Sequence, residues 1–248
     1  MPSCVVGITA AGRAALPLRV PTADTSPAMP TLVIGNKNYS SWSLRPWLLL
    51  RHFGVPFEEH RLILDTPSFF SEIGRWSPTA KVPALHDGDL LVWDSLAICE
   101  YINETWLDGR GWPADLRVRA HARSAAAEMH SGFGELRKQL PMSSRRKPDG
   151  YRWNEAAQRD IERVQALWRE LRAAHGAGGD FLCGADFGIV DAMFAPVAFR
   201  FIGYGVPMDH VASGYVDALL ALPAMREWRA AAEAESEANP DTDALVHR

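Results

Sequence analysis

Apolar positions follow no period over residues 1–30, and the pattern begins at Thr31. Thr31-Leu32-Val33-Ile34-Gly35 is short, apolar and rich in β-formers, so it reads as a buried strand. Leu48-Leu49-Leu50-Arg51-His52-Phe53 reads as a helix stopped at Gly54. Phe57, Leu62 and Leu64 support a second strand, giving a β-α-β unit with parallel strands and a right-handed crossover. Ser68 to Ile73 is a short helix or turn. The stretch Trp76 to Leu85 then begins a third strand that Pro83 interrupts, since proline has no N–H for a ladder. His86-Asp87-Gly88-Asp89 reads as a hairpin turn through Asp-Gly, with Leu90-Leu91-Val92-Trp93 returning. Leu96 to Trp106 has the apolar spacing of a helix, headed by Asp94 or Ser95.

Gly111-Trp112-Pro113 reads as a linker, and helical patterns follow from Leu116 onward. Arg117 to Leu140 is expected as one helix, with Gly132 and Gly134 as weak points. Pro141 to Gly150 is a polar loop, in which Ser143-Ser144-Arg145-Arg146-Lys147 is expected to be solvated. Trp153 to Ala174 carries a helical stripe at Ile161, Val164, Leu167, Trp168 and Leu171. A further helix starts near Gly188, carries Asp191 in its first turn and continues through Phe201. Val211 to Leu222 and Met225 to Glu237 complete the helices, and the tail after Asn239 is expected to be loose. The domain reading is residues 1–30 as a disordered extension, 31–112 as an α/β domain and 113–248 as an all-helical domain. For residues 1–30 the rival readings are a start at Met29 and a targeting peptide, the latter disfavoured by Gly7, Gly12 and Arg13.

Composition narrows the function classes. The 248 residues suffice for a real core, and 47% hydrophobic with 23% charged is ordinary for a soluble chain. A formal net charge of −4 with no dense basic block argues against nucleic acid as partner. No apolar run approaches a transmembrane length, so no membrane association is expected. Cys4, Cys99 and Cys183 are odd in number and lack C-x-x-C spacing, which fits a reducing cytoplasm rather than a disulfide framework. His52, His121, His130 and His210 have no metal-ligand spacing to Cys or acidic residues, so no metal is expected. Trp47, Trp76, Trp93, Trp112, Trp153 and Trp168 are assigned to the core, and Trp42 is set apart by its neighbours.

Those neighbours are Asn38-Tyr39-Ser40-Ser41-Trp42-Ser43-Leu44-Arg45, where a strand hands over to a helix. The first turn of a helix has free N–H groups and the positive end of the dipole. A serine there either caps the helix or helps to hold an anion. At Val82-Pro83, a cis bond would turn the Val82 backbone groups toward open space, where an extended peptide could pair with them; a trans proline opening a strand is the plain alternative. Asp94-Ser95 either caps its helix or seats a ligand's ammonium and carboxylate.

The order β-α-β-α-β-β-α is a thioredoxin-like arrangement. With Ser40-Ser41-Trp42-Ser43-Leu44-Arg45, Val82-Pro83, Asp94-Ser95 and the helical remainder, the chain resembles the glutathione S-transferases, in particular zeta-like bacterial members. The resemblance implies a thioredoxin-like N-terminal domain followed by an all-helical one, a cytoplasmic homodimer, and glutathione as co-substrate. It implies a cis Val82-Pro83 bond and thiolate stabilisation for attack on a small hydrophobic electrophile. Counting along the zeta-like motif gives Ser40 as the activating residue; counting back from Arg45, as in theta-like members, gives Ser41. Ser43 is then the cap. Trp42, Lys81, Val82, Pro83, Asp94 and Ser95 would bind glutathione. Trp42 stands where zeta members have cysteine, which weakens the alternative of a maleylacetoacetate-isomerase-like enzyme. That alternative would also need a cation such as Arg200 facing the site. A non-catalytic binding protein on the same fold is the remaining alternative. Gly188 stands where the family's core helix has Ser or Thr, so Asp191 is read as structural, with only half of a capping box.

Overall fold

The structure is a computed structural model that describes residues 29–239, 242 and 243. The expectation for residues 1–28 lies outside the described residues. Strand β1 (Thr31–Gly35) leads into helix α1 (Ser41–His52), β2 (Glu58–Leu62), α2 (Pro67–Trp76), β3 (Ala84–Asp87), β4 (Leu90–Trp93) and α3 (Ser95–Trp106). The sheet runs β2-β1-β3-β4; β1 and β2 are parallel, and the other neighbours are antiparallel. Alternation along β1 divides its side chains between two faces. Leu32 and Ile34 join Leu44, Leu48 and Ile98 in the main core. Val33 points the other way and packs with Leu62, Phe69, Ile73 and Ala84 beneath α2.

Among the described residues six helices follow: α4 (Leu116–Ser131), α5 (Gly134–Gln139), α6 (Glu155–His175), α7 (Ile189–Tyr204), α8 (His210–Ala221) and α9 (Pro223–Ala234). All of α7 except Ile202 is buried, and α1 of the α/β half packs against it. Asp191 accepts from the N–H groups of Gly188 (3.0 Å) and Leu182 (3.1 Å) and from the Tyr215 hydroxyl (3.0 Å). It is structural, as expected. Among the described residues, no helix is long and apolar enough to cross a membrane.

Four expectations are corrected. The single helix over 117–140 is broken, because Phe133 adopts a left-handed φ of 58° that buries its ring. Arg137 then folds back and donates to the carbonyls of Met129, His130 and Gly132, closing the end of α4. The last helix stops at Ala234, and residues 235–239 return to the α/β half: the Asn239 N–H donates to the Tyr39 hydroxyl at 3.1 Å. Of the tail beyond Asn239, Thr242 and Asp243 are engaged rather than loose, since the Tyr39 hydroxyl donates to Asp243 at 3.0 Å; the rest of that expectation lies outside the described residues. Most of the basic loop is not solvated: Ser143, Ser144 and Arg146 are buried and Arg145 donates to the carbonyls of Glu235 and Glu237, while Lys147 alone is exposed as expected.

Candidate active site

The loop between β1 and α1 is fixed from behind by residues distant in sequence. Asn36 Oδ1 accepts the Leu64 N–H at 2.8 Å. The Glu235 carboxylate accepts the N–H of Lys37 at 2.7 Å and of Asn38 at 3.0 Å. The Trp228 indole donates to the Lys37 carbonyl (2.9 Å), and the Ser144 N–H to the Asn38 carbonyl (3.1 Å). Helix α1 therefore starts at a set position, seven residues before the apolar run from Leu48, and takes Pro46 into its body.

This early start changes the roles of the serines. Ser43 lies in the first turn and does not cap; its hydroxyl accepts from the Gly35 N–H at 3.2 Å, tying α1 to the end of β1. Ser40, at the cap position, makes no capping bond and donates to Ser43 Oγ at 2.7 Å. Ser41 opens the helix, and its oxygen accepts from Arg200 at 3.3 Å. Both Ser40 and Ser41 are buried. Arg200 is not on the surface either. Its guanidinium donates to the carbonyls of Leu140 and Pro196 as well as to Ser41.

The Val82-Pro83 bond is cis. The ladder of β3 starts at Ala84, after the proline, so Val82 stands at the strand's open end. Asp94 has a φ of 76°; its Oδ1 accepts from the N–H groups of Leu96 (2.9 Å) and Ala97 (3.1 Å) at the head of α3. Ser95 is buried and accepts from Arg45 at 3.2 Å.

A cavity of about 550 Å³ brings together Trp42, Lys81, Val82, Pro83, Asp94 and Ser95, six of the eight residues singled out from the sequence. Ser40 and Ser41 do not line it; they lie beside Trp42 at the start of α1. Thr79, Trp93 and His130 complete the walls. Trp93, assigned to the core by sequence, is exposed there. A second cavity, of about 590 Å³, lies at the far end of α1 between His52, Trp112 and Phe187, and holds none of these eight.

The site is cationic beneath its floor. Arg45 is fully buried, stacks on Trp42 at 4.2 Å, and has an Nε with no partner. Burial, with Arg137 and Arg200 nearby, lowers its pKa to about 9. Burial and Arg137 lower Arg200 to about 10. Burial raises the thiols of Cys99 and Cys183, so neither offers a ready thiolate. Among the described residues, no three His, Cys, Asp or Glu side chains gather as a metal site.

Comparison with known proteins fits this arrangement. The N-terminal-domain profile of glutathione S-transferases matches residues 39–105, and the C-terminal-domain profile matches 154–231. A probable maleylacetoacetate isomerase of Caenorhabditis elegans is 31% identical over 161 residues, covering 64% of this chain and 72% of that protein. Glutathione S-transferase 1 of Dianthus caryophyllus is 28% identical over 178 residues, 68% of this chain and 76% of the relative. Among solved structures, a glutathione transferase homologue from Burkholderia with bound glutathione superposes with a TM-score of 0.64 at 24% identity, covering 84% of this chain and all of the other. The chain belongs to the glutathione S-transferase family, and the expected fold and transferase activity stand with that membership.

Proposed function

We propose that the protein binds glutathione in the 550 Å³ cavity and activates its thiol with Ser41, for attack on a small hydrophobic electrophile. Hydrogen-bond accounting at the two serines carries this reading. The Ser40 proton is committed to Ser43. The Ser41 oxygen accepts from a guanidinium, which leaves the Ser41 proton free and polarises its O–H. A free thiol has a pKa of about 8.5, so an unassisted site holds little thiolate at neutral pH. The positive end of α1, the Ser41 hydroxyl and the buried charges of Arg45 and Arg200 all favour the anion. Asp94 and Ser95 would take the γ-glutamyl end, Val82 would pair with the peptide backbone after Pro83, and Lys81 and Trp42 would flank the ligand.

The test is a pH titration of bound glutathione, followed by thiolate absorbance, in wild type, Ser40→Ala and Ser41→Ala. Wild type and Ser40→Ala should show a lowered thiol pKa, and Ser41→Ala should return it toward the free value. A shift lost in Ser40→Ala alone would transfer the role to Ser40. Binding without a shift in any version would favour a non-catalytic binding protein.

The name of the nematode relative favours one second reading, a glutathione-dependent isomerase of a small diacid. Arg200 supports it less than sequence suggested, since its guanidinium is engaged by two carbonyls and Ser41. Turnover of a cis-diacid would favour it over conjugation. The reading also includes a two-domain division near residue 112, a cytoplasmic location and a homodimer, the last tested by scattering mass at working concentration.

A further inference from the structure

His130 belongs to α4 in the helical half, yet its ring stands in the cavity that the α/β half builds. Its Nε2 lies 3.0 Å from Asp94 Oδ2. The ring meets Trp42 edge-on at 5.5 Å, and its Nδ1 is buried with no hydrogen-bond partner. The two oxygens of Asp94 therefore have separate work: Oδ1 caps α3, and Oδ2 faces His130. An ammonium arriving at Asp94 has to take Oδ2. We propose that His130 holds the seat of the ligand's α-ammonium, so that imidazole and ammonium are alternative partners of one carboxylate oxygen and His130 sets how tightly this site accepts an amino-bearing ligand. The inference rests on the reading above that Asp94 receives the γ-glutamyl end.

Three charged groups face the ring. Asp94 at the head of α3 raises its pKa, while Arg45 on α1 and Arg137 on α5 lower it. Burial is the largest influence, and the net direction is down from the ordinary histidine value. A proton on Nδ1 would also lack an acceptor. At neutral pH the ring is thus uncharged and yields Oδ2 at the cost of one hydrogen bond from a neutral donor, rather than an ion pair. As pH falls through the ring's pKa, an imidazolium–carboxylate ion pair forms at Asp94, and the ammonium must displace it. By linkage, the ligand prefers the deprotonated ring, and binding lowers the ring's pKa further.

The probe is S-methylglutathione, which has no thiol to titrate, in calorimetry from pH 5.5 to 7.5. Wild-type affinity should weaken on acidification, by up to about tenfold per pH unit below the ring's pKa, the limit for one linked proton. His130→Phe keeps an aromatic edge on Trp42 and should show no such fall. Wild type should show none with the analogue that lacks the α-amino group. In wild type alone, saturating S-methylglutathione should lower the His130 pKa read from its ring proton shifts, which does not depend on any variant folding. Parallel slopes in wild type and His130→Phe, or an unmoved or raised His130 pKa, overturn the proposal and leave the transferase reading intact. No binding at any pH overturns both.

Discussion

Replacing Glu235 by alanine tests whether the active-site loop is held from the far end of the chain. The Glu235 side chain is only 7% exposed and accepts from Lys37 N–H, Asn38 N–H and Arg61. Truncation leaves two backbone donors without a protein acceptor, each worth about 1–3 kcal/mol if buried. Water can reach part of this region, so a total of about 2–4 kcal/mol is expected, taking the low end of that range for the more accessible donor. The Trp228 and Ser144 bonds to the same loop remain. The loss should therefore fall first on the loop, and 2 kcal/mol is about thirtyfold in its docked population. Three readouts follow: faster amide exchange at Lys37 and Asn38, a lower urea midpoint, and a bound-thiol pKa drifting back toward that of free glutathione. Glu235→Gln keeps one acceptor oxygen and should recover part of each. An unchanged urea midpoint together with an unchanged thiol titration in Glu235→Ala would refute the reasoning.

Other substitutions probe the frame. Asp191→Ala strands the Leu182 and Gly188 N–H groups and the Tyr215 hydroxyl, and should cost about 3–5 kcal/mol in urea unfolding, with Asn recovering part. Gly179→Ala would put a Cβ 2.1 Å from Ala185 Cα, so the loop must shift; about 1–3 kcal/mol of stability and faster proteolysis there are expected. Gly205→Ala, at the left-handed end of α7 (φ +65°) and 3.1 Å from Pro148 Cβ, should lower stability by about 1 kcal/mol in thermal unfolding.

Features encoded by neighbouring residues were readable from sequence. Strand β1 announces itself by a β-branched apolar run, β3 and β4 by the Asp-Gly turn between them, and Asp94-Ser95 by its place before an apolar helix. The cavity residues near Val82 and Asp94 are legible because a turn or a helix start requires them within a few positions. His130, Arg137, Arg200 and Glu235 carry no such signal. His130, Arg200 and Glu235 reach partners on distant elements, and Arg137 meets Trp42 across the site as well as the adjoining end of α4; which face a helix turns inward depends on what packs against it. The Phe133 break shows the same limit: Gly132 and Gly134 mark a weak point, but burial of the Phe133 ring and the Arg137 cap decide where the helix ends. Ser43 was misplaced as a cap because α1 begins before its apolar stretch, anchored by a loop that sequence could not show to be held.

Helix α7 also bears on how the chain is made. With only Ile202 outside the interior, it has no solvent face and cannot persist alone. The face of α1 that packs against α7 leaves the ribosome well before the helix that covers it. About 150 residues separate the end of α1 from the end of α7, which at 5–20 residues per second is roughly 8–30 s of synthesis. Throughout that interval the nascent α/β half presents an uncovered apolar face. Chaperone demand during translation should thus be set by this interval, and slowing the ribosome between α1 and α7 should lower the soluble yield more than slowing it after α7.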